Sequence, residues 1–106
     1  MSDRHALFFK ALSSRSRTKI LQILANRGEL SVDELTQSLD LAGPTVSRHL
    51  QILRLQEIVS VRRDAQNRYY SVNRERLAQK FNTFLAELRS DVPLAPAKSD
   101  SSTDRS

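Results

Sequence analysis

The chain has 106 residues, 39% of them hydrophobic, with 17 Lys or Arg against 12 Asp or Glu, a net charge of +5 and no cysteine. That length fits one domain, and the missing thiol excludes disulfides, thiolate metal centres and thiol redox switches. No apolar run approaches the roughly 18 residues of a membrane span, and Met1-Ser2-Asp3-Arg4-His5 lacks a secretory layout, so a cytoplasmic protein with no membrane partner is expected, its basic excess favouring nucleic acid.

Ala6, Leu7, Phe8, Ala11 and Leu12 recur at helical spacing and predict a short first helix, ended by the polar cluster Ser13-Ser14-Arg15-Ser16. His5, at its start, reads as plain surface. A second helix begins near Arg15 with Ser13 or Ser14 as N-cap, turns Ile20, Leu21, Ile23 and Leu24 inward, and meets Gly28 where a C-cap belongs. Ser31 and Glu34, three apart, have the reciprocal spacing that satisfies free N–H groups at the start of a third helix carrying Leu35 and Leu39. After the turn Asp40-Leu41-Ala42-Gly43, Pro44 suits the first turn of a fourth helix running to about Leu55.

The period then changes. Ile58, Val59 and Val61, then Tyr69, Tyr70 and Val72, flank a polar run and predict a β-hairpin with a basic tip. Asn73 caps a last helix in which Leu77, Phe81, Phe84 and Leu88 form an apolar seam, with Ala78 and Leu85 beside it. From Val92 onward Pro, Ala and Ser dominate. Residues 92–106 therefore read as a disordered tail whose charges cancel, leaving the whole +5 on residues 1–91.

The predicted fold is mainly α with a small β-hairpin, in the order of a winged helix-turn-helix. On its fourth helix Val46, Leu50 and Leu53 share the core side, leaving Thr45, Ser47, Arg48 and Gln51 outward. These side chains suit base edges: Arg48 can bond guanine twice, Gln51 can pair with adenine, and the Thr45 methyl can touch thymine. Arg62, Arg63 and Arg68 in the hairpin tip suit phosphate, which is blind to sequence. His49 flanks the core face and reads either as a pH-responsive backbone contact or as a structural hydrogen-bond partner. Leu7, Phe8, Leu77, Phe81, Phe84 and Leu88 are more large apolar groups than so small a folded part can bury, which predicts a homodimer through the first and last helices. A two-fold dimer would read an inverted repeat of duplex DNA.

Three segments carry a resemblance to a known family: Phe9-Lys10-Ala11-Leu12-Ser13-Ser14-Arg15-Ser16-Arg17-Thr18-Lys19-Ile20-Leu21, then Leu30-Ser31-Val32-Asp33-Glu34-Leu35, then Pro44-Thr45-Val46-Ser47-Arg48-His49-Leu50. The chain resembles the ArsR/SmtB-type repressors, homodimeric winged-helix proteins, over about residues 5–89. The likeness implies an operator contact through Thr45, Ser47, Arg48 and His49, and Tyr69-Tyr70 after a basic turn resembles the family's wing. Many members sense metal through a Cys-x-Cys pair, whose matching positions here are Ser31 and Asp33. Others use Asp and His on the last helix, where residues 74–91 offer Glu75, Glu87 and Asp91 without histidine. No metal site and no cofactor is therefore expected. Gln56-Glu57 stands where the family usually has Gly, so the chain reversal must hold a non-Gly residue at positive φ or adopt another geometry. Ala42 replaces the usual capping Ser, leaving Gly43 as a weaker cap.

No nucleophile stands with a base, and no pair of carboxylates marks a cleft, so an enzyme is not expected. An RNA-binding or protein-interaction winged helix is the competing reading. The outward polar set on the fourth helix argues against it, because a protein-docking surface would be apolar there. An inducer, if one exists, would be a small molecule or a protein.

Overall fold

A computed structural model describes residues 3–91; the tail read at 92–106 lies outside them. The elements are α1 (Asp3–Leu12), α2 (Arg15–Arg27), α3 (Val32–Ser38), α4 (Gly43–Leu55), β1 (Val59–Asp64), β2 (Asn67–Val72) and α5 (Arg74–Asp91). Most helix ends form from local side chains. The Ser14 hydroxyl accepts from the Arg17 N–H at 3.2 Å. Ser31 and Glu34 complete their reciprocal box at 3.2 and 2.9 Å, and Asn73 Oδ1 accepts from the Arg76 N–H at 3.0 Å. Gly28 closes α2 at φ 93°, a conformation that favours glycine, with its N–H on the Leu24 carbonyl at 2.7 Å.

The start of α4 corrects the expectation for Gly43. Ala42 is the N-cap, without a side-chain bond, and Gly43 is already helical. The far end of α4 takes the first of the two geometries open to it. Glu57 sits at φ 63°, its N–H bonds the Arg54 carbonyl at 2.9 Å, and the Ile58 N–H reaches the Leu53 carbonyl at 2.9 Å. These two bonds are a Schellman close with glutamate in glycine's place, and its apolar partners Leu53 and Ile58 are fully buried.

The core gathers Ile20 and Leu24 of α2, Leu35 of α3, Val46, Leu50 and Leu53 of α4, Ile58, Val59 and Tyr70. β1 and β2 pair antiparallel from Val59 opposite Val72 to Asp64 opposite Asn67. Leu30, just before α3, adds a bridge to β2: its N–H donates to the Tyr70 carbonyl at 3.0 Å and its carbonyl accepts from the Tyr70 N–H at 2.8 Å. The hairpin is thereby anchored to the α2–α3 connection.

Two expectations about α1 are corrected. Phe8, expected at a dimer surface, belongs to the protomer's own core at 1% exposure, because α5 brings the Phe81 ring edge-on to it at 5.3 Å. His5, expected as plain surface, is 3% exposed. Its Nε2 lies 2.8 Å from Glu87 Oε2, and its ring meets Phe84 edge-on at 5.4 Å. The close approach of His5, with help from Arg4, holds the Glu87 carboxyl below the ordinary carboxylate range.

Candidate nucleic-acid interface

α4 buries Val46, Leu50 and Leu53 and leaves Thr45, Ser47, Arg48 and Gln51 exposed along the opposite side. The four side chains expected to read bases therefore share one solvent-facing strip. His49 lies at its edge, half-buried, with Nδ1 3.2 Å from Nη1 of Arg17 in α2. Burial, then the positive charges of Arg17 and Arg48, lower its pKa, so the ring is neutral at pH 7. The expected pH-responsive role of His49 is not favoured by this environment.

The wing separates its arginines into two kinds. Arg62 is held: its guanidinium donates twice to Glu29, at 2.9 Å each, and lies 5.0 Å above the Tyr69 ring centroid. The same contact lowers the Glu29 pKa. Arg63 and Arg68 stand directly opposite each other across the two strands, and neither makes an ion pair among the described residues. Like charges so placed are unfavourable unless an anion lies between or above them. The hairpin turns through Ala65 and Gln66, with Ala65 at φ 57°, where such loops ordinarily carry glycine.

The α1/α5 face carries Leu7, Phe81, Leu85 and Leu88 exposed, at 54%, 39%, 50% and 38%. Leu77 and Phe84, expected there too, are half-buried, Leu77 against the core and Phe84 against Phe9 at 4.8 Å. Beside this stripe a groove of about 440 Å³ is lined by Arg4, His5, Phe8, Glu57, Arg76 and Lys80, among others. Glu57 spans it, 3.4 Å from Arg76 and 3.8 Å from Lys80. Among the described residues no helix is long and apolar enough to cross a membrane.

Arg17, Glu29, Glu57 and the His5–Glu87 pair were not legible as working residues in the sequence. Arg17 lies inside the first family-like segment, residues 9–21, yet nothing local points from it to His49, 32 positions away.

A helix with a buried apolar side and an exposed polar strip, preceded by a capped short helix and followed by an anchored basic hairpin, defines a winged helix-turn-helix regulator. A family model for bacterial regulatory proteins of the arsR family matches residues 14–61, from the cap of α2 into β1. The transcriptional repressor SdpR of Bacillus subtilis is 35% identical over 77 residues, 73% of this chain and 84% of that protein. An arsenic resistance transcriptional regulator of Pseudomonas putida is 41% identical over 69 residues, 65% of this chain but only 54% of its own length. Among solved structures, the transcriptional regulator HlyU from Vibrio vulnificus superposes with a TM-score of 0.60 at 36% identity, covering 78% of this chain and 84% of that one. A homodimeric winged helix-turn-helix DNA-binding domain from Mycobacterium bovis, a possible ArsR-family regulator, gives 0.66 at 30% identity over 90% and 85% of the two chains. The chain belongs to the ArsR family. It is a DNA-binding transcriptional regulator and not an enzyme.

Proposed function

We propose that this regulator acts as a homodimeric repressor that blocks a promoter by occupying an inverted repeat. The observation that carries the reading is the exposed strip of Thr45, Ser47, Arg48 and Gln51 on a helix whose other side is locked into the core. Arg48 and Gln51 supply base preference, with about 1–3 kcal/mol of discrimination for each good pair. Arg63 and Arg68 supply affinity for any duplex, and a phosphate between them relieves their mutual repulsion. His49 contributes a backbone contact. Arg62 acts through the wing's shape rather than as a free charge, because Glu29 already holds it.

Leu7, Phe81, Leu85 and Leu88 form the surface for a second copy, and the homodimeric domain from Mycobacterium bovis supports this assembly. With no thiol in the sequence and no histidine beside the acids of residues 74–91, release on this reading follows from a small organic ligand, from a protein, or from dilution alone. The test is selection from random duplex DNA followed by titration of the enriched site against salt. An enriched inverted repeat with a steep salt slope is the expected result. Binding without enrichment would favour an architectural or RNA-directed role, and no binding would favour a protein-interaction module.

A further inference from the structure

We propose that Arg17 is a positioning residue for DNA recognition, which fixes His49 on α4 as a neutral Nε2–H donor and fastens that helix to the end of α1. The proposal rests on the reading of α4 as the DNA-contacting helix. Arg17 lies in the first turn of α2, and its guanidinium is fully directed by its partners. Nε donates to the Ala11 carbonyl at 2.7 Å, Nη2 to the Lys10 carbonyl at 3.4 Å, and Nη1 faces His49 Nδ1 at 3.2 Å. Both carbonyls belong to the last turn of α1; that of Lys10 also accepts from the Ser13 N–H at 3.1 Å and Oγ at 2.7 Å, so the short Arg17 bond is the one to Ala11. Arg17 thus shares the closing of α1 with Ser13 and grips the imidazole of α4.

The chemistry of the grip determines the tautomer. A guanidinium has five N–H donors and no acceptor, so the His49 nitrogen it meets must offer a lone pair. With Nδ1 accepting, the ring proton sits on Nε2, which makes no hydrogen bond among the described residues. His49 stands between exposed Arg48 and buried Leu50, at the rim of the reading strip. A fixed N–H at that rim suits a phosphate oxygen. The charges acting on the ring, Arg17 from α2 and Arg48 from its own helix, are both positive and oppose its protonation, as burial does.

The experiment pairs long-range nitrogen–proton spectra of the histidines in the full chain with anisotropy titrations of a selected operator. Wild-type His49 is expected in the Nε2–H form at neutral pH. Arg17→Gln is expected to mix the tautomers, to let His49 titrate nearer its ordinary value of about 6.5, and to weaken operator binding about tenfold at pH 7.5. His49→Gln can accept through Oε1 and donate through Nε2, so it is expected within about threefold of wild type, while His49→Leu loses about tenfold. An Nδ1–H or charged His49 in the wild type, or a loss in Arg17→Gln without any change of tautomer, overturns the proposal. If Arg17→Gln does not fold, the wild-type spectrum and the His49→Gln and His49→Leu pair decide it alone. Operator binding untouched by Arg48→Ala would overturn the α4 reading instead, and the spectrum would still report the Arg17 grip in the free protein.

Discussion

The reading face and the α1/α5 face solve opposite problems with the same small core. On α4, Val46, Leu50 and Leu53 are fully buried while Thr45, Ser47, Arg48 and Gln51 face out, so the protomer holds that helix alone, with Leu55 at its end the one strongly exposed apolar residue among those described on it. On α1 and α5, Phe8 and Ala11 are buried while Leu7, Phe81, Leu85 and Leu88 stay in water. The first face is finished except for its unpaired arginines and suits a polyanion. The second is unfinished in apolar area and suits a second copy of itself. On the proposed function, affinity for DNA and assembly reside in separable side chains.

Breaking the apolar face should have the largest effect. Leu85→Glu with Leu88→Glu is expected to halve the mass in analytical ultracentrifugation and to lower operator affinity by at least about a hundredfold, since two half-sites no longer bind as one unit. Circular dichroism should be preserved, because both side chains are exposed. A wild-type monomer would remove the second copy from the comparison altogether.

On the reading face, Arg48→Ala is expected to cost about 1–3 kcal/mol on the operator and little on random duplex. Arg63→Ala should weaken both alike and flatten the salt slope by about one unit. Arg62→Ala, whose guanidinium is already engaged by Glu29, should change that slope less than Arg63→Ala. Equal slopes for the two would mean that Glu29 gives way to phosphate.

The predicted elements were legible wherever their cause was local. Ser14, Gly28, the Ser31–Glu34 pair and Asn73 act within a few residues, and β-branched and aromatic residues on either side of a polar run mark the hairpin. The α4 strip followed from helical period, because its apolar positions left one arrangement. What escaped depended on distant chain. Whether Leu7 or Phe8 faces inward on α1 is set by where α5 lies, and the burial of His5 by Glu87 and Phe84. Arg62 looked like its neighbour Arg63 until Glu29, 33 positions away, engaged it.

A subtler test concerns acid. The folded Glu87 carboxyl is held below its ordinary value of 4.5, so its contribution to stability is present above that value and fades as pH falls through the depressed one. Unfolding followed by urea from pH 6 to pH 3 should show a shallower acid loss in Glu87→Gln than in the wild type. An unchanged acid limb would mean that the His5 contact contributes little to joining α1 and α5. The smallest effect is expected at the wing tip. Ala65→Gly at φ 57° should raise stability by less than about 1 kcal/mol, measured as the midpoint of urea unfolding, with DNA affinity unchanged.

The left-handed glutamate at the end of α4 couples two demands on one position. A glycine at Glu57 would relax the backbone but sever the carboxylate from Arg76 and Lys80, so the α4–wing corner would lose its strut to α5. A selection for heat resistance alone would therefore drift toward a tougher protein in which the two faces are mechanically deaf to each other.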